Sequence, residues 1–224
     1  MTVSVVIPTL NEERTINATL ARLGQPALTE VIVVDGGSQD RTVDMAKPKA
    51  RIITAPRGRA RQMNAGAAVA TGDVLLFLHA DTLLPLTAGE DILTVLRDPA
   101  VVGGRFDVRF DPHQGLLRVV SWMMNWRSRM SGIATGDQAI FIRRTVFDAV
   151  EGFPDLPIME DVAFSASIKR IGRMAALRST VVTSGRRWQQ GGIVPTILLM
   201  WWLRMLYSLG ASPERMARLY ANIR

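Results

Sequence analysis

The amino-acid sequence predicts an α/β fold with a mostly parallel, mixed sheet flanked by helices. Short apolar runs alternate with helical segments over the first ~80 residues, and apolar and charged residues alternate further along the chain. The composition, 48% hydrophobic and 21% charged, is that of a folded globular chain. Its 224 residues suit one large domain. We therefore expect an α/β domain over residues 1–192 and a C-terminal helical extension over residues 193–224.

Two strand–helix units open the chain. Val3–Ile7 is an apolar, β-branched run that predicts a buried strand, and Asn11–Glu13 supplies a helix cap with acidic residues in the first turn. Val31–Val34 predicts a second buried strand, and Asp40 in the following turn "DGGSQD" is a suitable cap for a short helix. The repeated unit predicts neighbouring parallel strands.

Two further strands continue this pattern. Arg51–Thr54 predicts a third strand, and Gly58–Ala70 has a helical composition with Gly72 at its C-terminal end. Val74–Leu78 predicts another buried strand, which ends at "HADT". Ligand sites in such sheets lie beyond the carboxyl ends of the strands, so the polar residues at these ends are candidates for a site.

The second half of the chain predicts a mixed sheet. Apolar and charged residues alternate over residues 106–111, as expected of a half-exposed strand. We expect a helix rich in Met and Trp over residues 116–130, a strand over residues 138–142, and a helix over residues 162–171.

Charge and residue usage limit the classes of function. The 27 basic residues exceed the 20 acidic ones, and the net charge of +7 favours phosphate-bearing ligands, nucleic acid or an anionic membrane without choosing among them. The absence of cysteine excludes disulfides, thiolate zinc sites and cysteine nucleophiles, and is compatible with the cytoplasm. No G-x-G-x-x-G or G-x-x-x-x-G-K motif opens the first helix, which argues against a dehydrogenase and a P-loop NTPase.

No segment is expected to cross a membrane. The apolar run after Met1 lacks the basic leader and the length of a signal peptide. Pro195 and Arg204 interrupt Ile193–Leu209, which is also shorter than the ~20 apolar residues of a spanning helix. We interpret this segment and residues 116–126 as core or a homodimer contact. The alternative is an interfacial helix at the inner face of the membrane.

Two acidic residues follow apolar strands. Asp81 is placed to hold a divalent cation against phosphate oxygens, although Asp is also a common turn residue. Asp35 precedes Gly36 and Gly37, which allow close approach of the backbone to a ligand, and its alternative role is that of a loop cap. His79 is expected to form a local hydrogen bond rather than to bind metal.

Two basic segments are candidates for diphosphate binding. Arg59 lies between Arg57 and Arg61 at a predicted helix N-terminus, where guanidinium and backbone N–H groups both attract phosphate. An exposed basic helix face is an equal alternative. A second segment pairs two guanidinium groups with an aromatic ring and suits pyrophosphate, sugar or a simple surface contact; its members are Arg186, Arg187 and Trp188.

Adjacent acids precede the predicted helix of residues 162–171. Glu160 and Asp161 are interpreted either as N-terminal capping residues or as a general base that removes a proton from an acceptor hydroxyl. The local sequence favours the cap.

Six motifs, in order, resemble family 2 glycosyltransferases of the GT-A, Rossmann-like fold. They are "SVVIPTLNEE", "VIVVDGGSQDRT", "GRARQMNAG", "GDVLLFLHADT", "GDQAIFIRR" and "MEDVAFSASIKRIG". Each is weak alone, but their shared order and spacing are specific, and they extend to about Trp188. The resemblance implies a cytoplasmic bacterial enzyme that uses a nucleotide-sugar donor and Mn²⁺ or Mg²⁺. It does not imply a nucleic-acid partner, and the acceptor is either a small molecule or lipid-linked.

The resemblance assigns roles to individual residues. The family's first donor-site loop is matched by Pro8, Thr9 and Glu12. Asp35 matches the first acid of the second loop, Asp81 the metal-binding acid of the DxD motif, and Asp161 the catalytic base of the "ED" motif that begins with Glu160. Inversion at the anomeric carbon follows from this assignment.

Two residues depart from the family motifs, and three short motifs resemble one subgroup of the family. Gly36 stands where many relatives have a second Asp that recognises the base, and His79 stands where the DxD motif has its first acid. The motifs "VVDGGS", "FLHADT" and "SGRRW" resemble a compact bacterial subgroup associated with arsenosugar biosynthesis, in which the segment from Arg186 to Trp188 would lie near the donor phosphates. Two rival classes remain: a sugar-nucleotidyltransferase-like enzyme, although its Gly- and Lys-rich first loop is missing, and a non-catalytic basic protein of membrane surfaces.

Overall fold

A computed structural model of the chain describes residues 1–113, 115–186, 188 and 191–222. Its strands are β1 (Val3–Thr9), β2 (Leu28–Asp35), β3 (Arg51–Thr54), β4 (Val74–Phe77), β5 (Thr82–Leu83), β6 (Val101–Asp111), β7 (Ile140–Arg143) and β8 (Arg173–Ser184). Its helices are α1 (Ile16–Leu20), α2 (Thr42–Ala46), α3 (Arg59–Val69), α4 (Ala88–Val95), α5 (Gly115–Ser131), α6 (Arg144–Ala149), α7 (Glu160–Ile168), α8 (Ile193–Ser208) and α9 (Pro213–Asn222). The predicted alternation of strands and helices in the first half is confirmed.

The strands form one sheet in the order β3-β2-β1-β4-β7-β6-β8-β5. The first four in this order are mutually parallel. Strand β7 then runs antiparallel to both of its neighbours, and β8 is parallel to β6. The predicted change from a parallel to a mixed sheet in the second half of the chain is therefore confirmed.

Apolar layers cover both faces of the sheet, because successive side chains of a strand point to opposite faces. Val5 and Ile7 of β1 belong to one buried cluster with Ile16 of α1. Val6 belongs to the cluster on the other face, together with Ala67 of α3. Two helical layers thus fix β1 and the residues that follow it.

Helix α3 lies directly on the sheet because Gly66 has no side chain. A Cβ at Gly66 would lie 2.3 Å from Cγ1 of Val6 and 2.9 Å from Cγ2 of Val34. This close approach fixes the position of the N-terminal turn of α3 above the ends of β1 and β2. Gln62 and Arg59 project from that turn.

Several element boundaries differ from the predictions, and three of these differences bear on the site. Asn11 does not cap α1, which begins at Ile16; its Oδ1 instead accepts a hydrogen bond from the N–H of Gln39 at 2.8 Å, which joins two loops. Strand β7 begins at Ile140 because Gly136–Gln138 form a 3₁₀ turn. Helix α7 begins at Glu160, so both acids of the "ED" motif lie in its first turn.

The two C-terminal helices fold back onto the body of the protein. Leu203 of α8 and Met216 of α9 are buried against Met159, next to α7. At the other end of α8, Ile193 and Ile197 pack beside α5. Within the part of the chain that the structure describes, no helix has both the length and the apolar character that crossing a membrane requires.

Candidate active site

A cleft of about 930 Å³ opens at the carboxyl ends of β1 and β4, which is a typical size for a ligand site. The residues that line it from the sheet and from α3 include Pro8, Thr9, Glu12, Arg57, Arg59, Gln62, His79 and Asp81. The opposite wall comes from the later part of the chain and includes Asp137, Glu160, Arg186, Trp188, Thr196 and Tyr220. Most of the residues predicted from scattered motifs therefore surround one cleft.

The end of β1 is tied to the end of β2 by Gln62. Nε2 of this side chain donates hydrogen bonds to the carbonyl oxygens of Thr9 and Val34, both at 2.8 Å. Gln62 is buried, so both N–H groups of its amide are satisfied without water. No local sequence pattern marks Gln62, because its role depends on strand ends that are distant in sequence.

Asp35 does not line the cleft. Its carboxylate accepts hydrogen bonds from the backbone N–H of Gly37 at 2.9 Å and of Ser38 at 3.0 Å. Gly36 lies against the amide of Gln62, and a Cβ there would be 3.0 Å from Nε2. This geometry is that of the loop cap, the alternative that the sequence left open for Asp35.

Asp81 is half-buried and lines the cleft four residues after the end of β4. Among the described residues its one hydrogen bond is from the Thr82 hydroxyl to Oδ1, at 3.4 Å, and this bond is long. The carboxylate is therefore available to a ligand in the cleft.

His79 is held by its neighbours, as predicted. Nδ1 lies 3.2 Å from Oδ1 of Asp137. A Cβ at position 136 would lie 2.4 Å from Nε2, so Gly136 is needed for the ring to fit. Both ring nitrogens of His79 therefore face protein groups. The contact with His79 also places Asp137 in the wall of the cleft. Asp137 was missed by the sequence analysis because nothing local marks it.

The "ED" motif lies at the edge of the cleft, where Glu160 lines both the cleft and a small adjoining recess. Oδ2 of Asp161 accepts a hydrogen bond from the N–H of Gly136 at 2.8 Å, and Oδ1 accepts one from the N–H of Val162 at 2.7 Å. Asp161 lines a small recess that also contains His79 and Glu160, and these two residues line the main cleft as well. The carboxylate of Asp161 thus lies next to the main cleft.

Burial raises the pKa values of both acids in this motif. Removal from water raises the pKa of Asp161, against the opposing effects of the Gly136 and Val162 hydrogen bonds and the positive charge of Arg59. Burial and the neighbouring charge of Asp161 raise the pKa of Glu160, while Arg59, whose Nη1 lies 3.8 Å from Oε1 of Glu160, lowers it. A carboxyl with a raised pKa is a stronger base once it is ionised.

The three arginines around the start of α3 have different environments. Arg57 and Arg59 line the cleft. Arg61 does not; its Nε lies 2.9 Å from Oδ1 of Asp155 in an exposed ion pair. The predicted basic patch therefore contributes two of its three guanidinium groups to the cleft.

The segment after β8 closes another side of the cleft. Nε of Arg186 donates to the Ser184 hydroxyl at 2.9 Å, and Nη2 lies 3.7 Å from Oε2 of Glu12. The ring of Trp188 lines the cleft and packs edge-on against Phe110, with centroids 5.4 Å apart. Arg187 lies outside the described residues.

Strained backbone flanks this cleft. Asn11, Ala139 and Met159 adopt left-handed conformations, with φ of 55°, 49° and 67°. Each directly precedes or closely follows a residue of the cleft wall or of the adjoining recess. For residues other than glycine this conformation is uncommon, and strained backbone of this kind tends to cluster at functional sites.

A divalent cation fits this cleft only with help from a ligand. Within the described residues, no three His, Cys, Asp or Glu side chains are close enough to form a metal site. Mg²⁺ in nucleotide enzymes is commonly bound by one or two carboxylates, water and the substrate's phosphates. Asp81 supplies one such carboxylate, so the residues present fit a cation that binds together with a diphosphate.

The chain matches the family model "Glycosyl transferase family 2" over residues 4–148. The protein therefore belongs to glycosyl transferase family 2. An uncharacterized glycosyltransferase of Mycobacterium tuberculosis is 32% identical over 139 residues, covering 57% of this chain and 59% of that relative. A PGL/p-HBAD biosynthesis glycosyltransferase of Mycobacterium tuberculosis is 38% identical over 91 residues, covering 36% of each chain. The chain thus aligns with less than two thirds of either relative.

Solved structures show the same architecture. S. aureus TarS 1-349 has a TM-score of 0.65 at 21% identity, with 83% of this chain and 61% of that chain covered. The mannosyltransferase PcManGT from Pyrobaculum calidifontis, in complex with GDP-Man and Mn²⁺, has a TM-score of 0.61 at 24% identity, with 80% and 56% covered. These similarities establish the predicted GT-A fold.

Proposed function

We propose that this protein transfers a sugar from a nucleoside diphosphate donor to an acceptor hydroxyl, with inversion at the anomeric carbon. The observation that carries the proposal is the convergence of Asp81, Glu160 and Arg59 on one cleft, with Asp161 in the small recess beside it. A phosphate-binding wall and a buried base are the two parts that this reaction requires.

The donor binds across the ends of β1 and β4 in this proposal. Pro8, Thr9 and Glu12 contact the nucleotide, and Arg59 and Arg186 lie on either side of the diphosphate. Guanidinium groups at these places stabilise the negative charge that develops on the leaving nucleoside diphosphate. A bound Mn²⁺ or Mg²⁺ supplies further positive charge there, and Asp81 is the residue that holds it.

Asp161 acts as the general base. Its ionised carboxylate takes the proton from the acceptor hydroxyl, whose oxygen attacks the anomeric carbon on the face opposite the diphosphate. The bond to the new oxygen forms as the bond to the diphosphate oxygen breaks, which inverts the configuration. Backbone N–H groups of Gly136 and Val162 orient the carboxylate. Glu160 positions Arg59 rather than accepting a proton.

The two segments of the chain have different tasks in this proposal. Residues 1–192 bind the donor and carry the base, and residues 193–224 close the acceptor side of the cleft. The arsenosugar-type subgroup remains a hypothesis about the acceptor, supported by the motifs "FLHADT" and "SGRRW". A cytoplasmic location is the corresponding expectation for a nucleotide-sugar enzyme.

Product analysis tests the reaction class. We expect incubation with a panel of nucleotide-sugars, Mn²⁺ and candidate acceptors to release a free nucleoside diphosphate and to form a product of inverted anomeric configuration. Release of pyrophosphate would identify a nucleotidyltransferase instead. Retention of configuration would remove Asp161 from the role of base.

A further inference from the structure

Helix α5 exposes an apolar stripe that no part of the described chain covers. The stripe consists of Leu116, Val119, Trp122, Trp126 and Met130, which are 48% to 73% exposed. These residues recur at helical spacing on one side, while Leu117 and Val120 on the opposite side are buried. The rings of Trp122 and Trp126 are nearly parallel, with an interplanar angle of 14° and centroids 6.4 Å apart.

Helix α8 exposes a second stripe. It consists of Val194, Leu198, Trp201, Trp202, Met205 and Leu209, which are 43% to 75% exposed. The two helices are in contact, because Ile193 and Ile197 of α8 pack in the same cluster as Leu117 of α5. Single exposed apolar residues are ordinary, but four tryptophans on two touching helices indicate an interaction surface. We call the two stripes together the tryptophan surface.

The two helices that carry the tryptophan surface contain basic residues and no acidic ones. Residues 112–136 and 185–213, which include both helices, contain no Asp or Glu. Arg118 of α5 and Arg204 of α8 are on these helices, and neither has a carboxylate within ion-pair distance among the described residues. A partner that covers this surface must therefore present an apolar interior and a negative rim.

We propose that the tryptophan surface docks onto an anionic lipid bilayer. Tryptophan is suited to the boundary between acyl chains and headgroups, because its ring is apolar and its N–H group is polar. Helices with an apolar face and basic residues lie in this boundary without spanning the membrane. Anionic headgroups supply the negative charge that Arg118 and Arg204 require.

A second copy of the chain fits this surface less well. In a two-fold dimer the same patch meets itself, so the arginines of one copy would face those of the other. With no acidic residue on either helix to compensate, this juxtaposition is repulsive. A bilayer avoids this repulsion and covers both stripes at once.

Docking on a bilayer also indicates where the acceptor is found. This step rests on the proposed glycosyl transfer. Helix α8 lines the cleft with Pro195, Thr196 and Leu199, and the exposed side chains of Leu198 and Trp202 lie beside them at helical spacing. A bilayer on these exposed side chains brings the cleft wall close to the headgroup region. The acceptor hydroxyl would then belong to a bilayer-resident molecule.

Vesicle co-sedimentation tests the docking. Full-length protein is mixed with vesicles of phosphatidylcholine alone or with added phosphatidylglycerol, and the bound fraction is measured at low and high salt. We expect binding to the anionic vesicles that weakens with salt, and little binding to the neutral ones. The variant Trp122→Ser/Trp126→Ser should bind anionic vesicles at least about tenfold more weakly. The control Leu86→Ser/Ile171→Ser, which removes exposed apolar residues elsewhere, should bind as the wild type does.

The tryptophan variant would also lose binding if it failed to fold, so a charge variant provides an independent test. Arg118→Gln should weaken binding to anionic vesicles about fivefold, whereas Arg97→Gln, which changes an exposed arginine in the turn after α4, should not. Wild-type protein that stays in the supernatant with anionic vesicles would overturn the proposal. So would a concentration-dependent dimer that Trp122→Ser/Trp126→Ser dissociates while vesicle binding is unchanged. Thermal stabilisation by nucleotide-sugars, measured without vesicles, reports separately on donor binding.

Discussion

The ends of strands β2 and β4 have a similar local sequence pattern, but their aspartates have different environments. Each is a buried apolar strand followed by an aspartate: Asp35 ends β2, and Asp81 lies just beyond β4. Asp35 is buried and accepts two backbone hydrogen bonds from its own loop. Asp81 is half-buried and faces the cleft.

The residues that follow each aspartate explain the difference. After Asp35, Gly37 adopts a φ of 95°, which turns the backbone N–H groups of the loop toward the carboxylate. After Asp81, the chain continues directly into β5, and the N–H of Thr82 donates to the carbonyl of His79 at 3.1 Å. No loop N–H is left for Asp81. A strand-end carboxylate therefore becomes a candidate ligand only where the next residues leave its oxygens unused.

The largest loss of activity is expected for a change at Asp161, whose carboxylate is oriented by two backbone N–H groups but is still able to take a proton. Asp161→Asn removes the base while its side-chain oxygen can still accept a hydrogen bond, so the turnover number should fall about 10²- to 10⁴-fold. Release of nucleoside diphosphate in the presence of acceptor measures this loss. Asp155→Asn, an exposed acid paired with Arg61, is the matched control and should retain activity. Equal activity of Asp161→Asn and wild type would contradict the assignment.

The pH dependence should report the raised pKa of Asp161. Transfer requires the ionised base, so kcat/KM should rise with pH through an apparent pKa above the ordinary Asp value of about 3.9. The same shift has the opposite sign for stability. The folded state holds this proton more tightly than the unfolded state, so this carboxyl's contribution to the free energy of unfolding declines as pH rises through the raised pKa. An acid limb at the ordinary carboxyl pKa would argue against a buried base.

At Asp35 we expect a smaller effect, which is a loss of stability rather than of donor binding. Asp35→Ala leaves the N–H groups of Gly37 and Ser38 without their acceptor, so the free energy of unfolding should fall by about 1–3 kcal/mol. Urea unfolding measures this change, and Asp44→Ala on the exposed side of α2 should alter stability by no more than about 0.5 kcal/mol. Metal-dependent donor binding should survive in Asp35→Ala. Loss of that binding with unchanged stability would reverse the comparison between the two strands.

Local periodicity and the positions of strand ends predicted part of the fold and several residues of the candidate site. The strands of the parallel half were predicted from apolar runs, and Asp81 and Arg59 from their places after a strand and before a helix. The motif resemblance favoured the general base over the cap for Asp161. Contacts between distant segments could not be predicted in this way: Gln62 joins two strand ends, and Asp137 meets His79 only after β7 pairs with β4.

The C-terminal helices illustrate the same limit. Their apolar composition predicted helices, but the sequence alone did not show that α8 would both line the cleft and expose tryptophans. Two aromatic stripes of similar composition can be core or surface. In α8, the packing of Leu203 against Met159 and of Ile193 beside α5 decides which side of the helix is covered.

The most direct test of the account is thermal stabilisation by a nucleotide-sugar with and without Mn²⁺, in the wild type and in Asp81→Asn. A bound ligand raises the melting temperature in proportion to the logarithm of its concentration over its dissociation constant. We predict no shift with Mn²⁺ alone, a shift with donor that grows when Mn²⁺ is added, and no such growth in Asp81→Asn. An equal Mn²⁺-dependent increase in both proteins would contradict the claim that Asp81 holds the cation in this cleft.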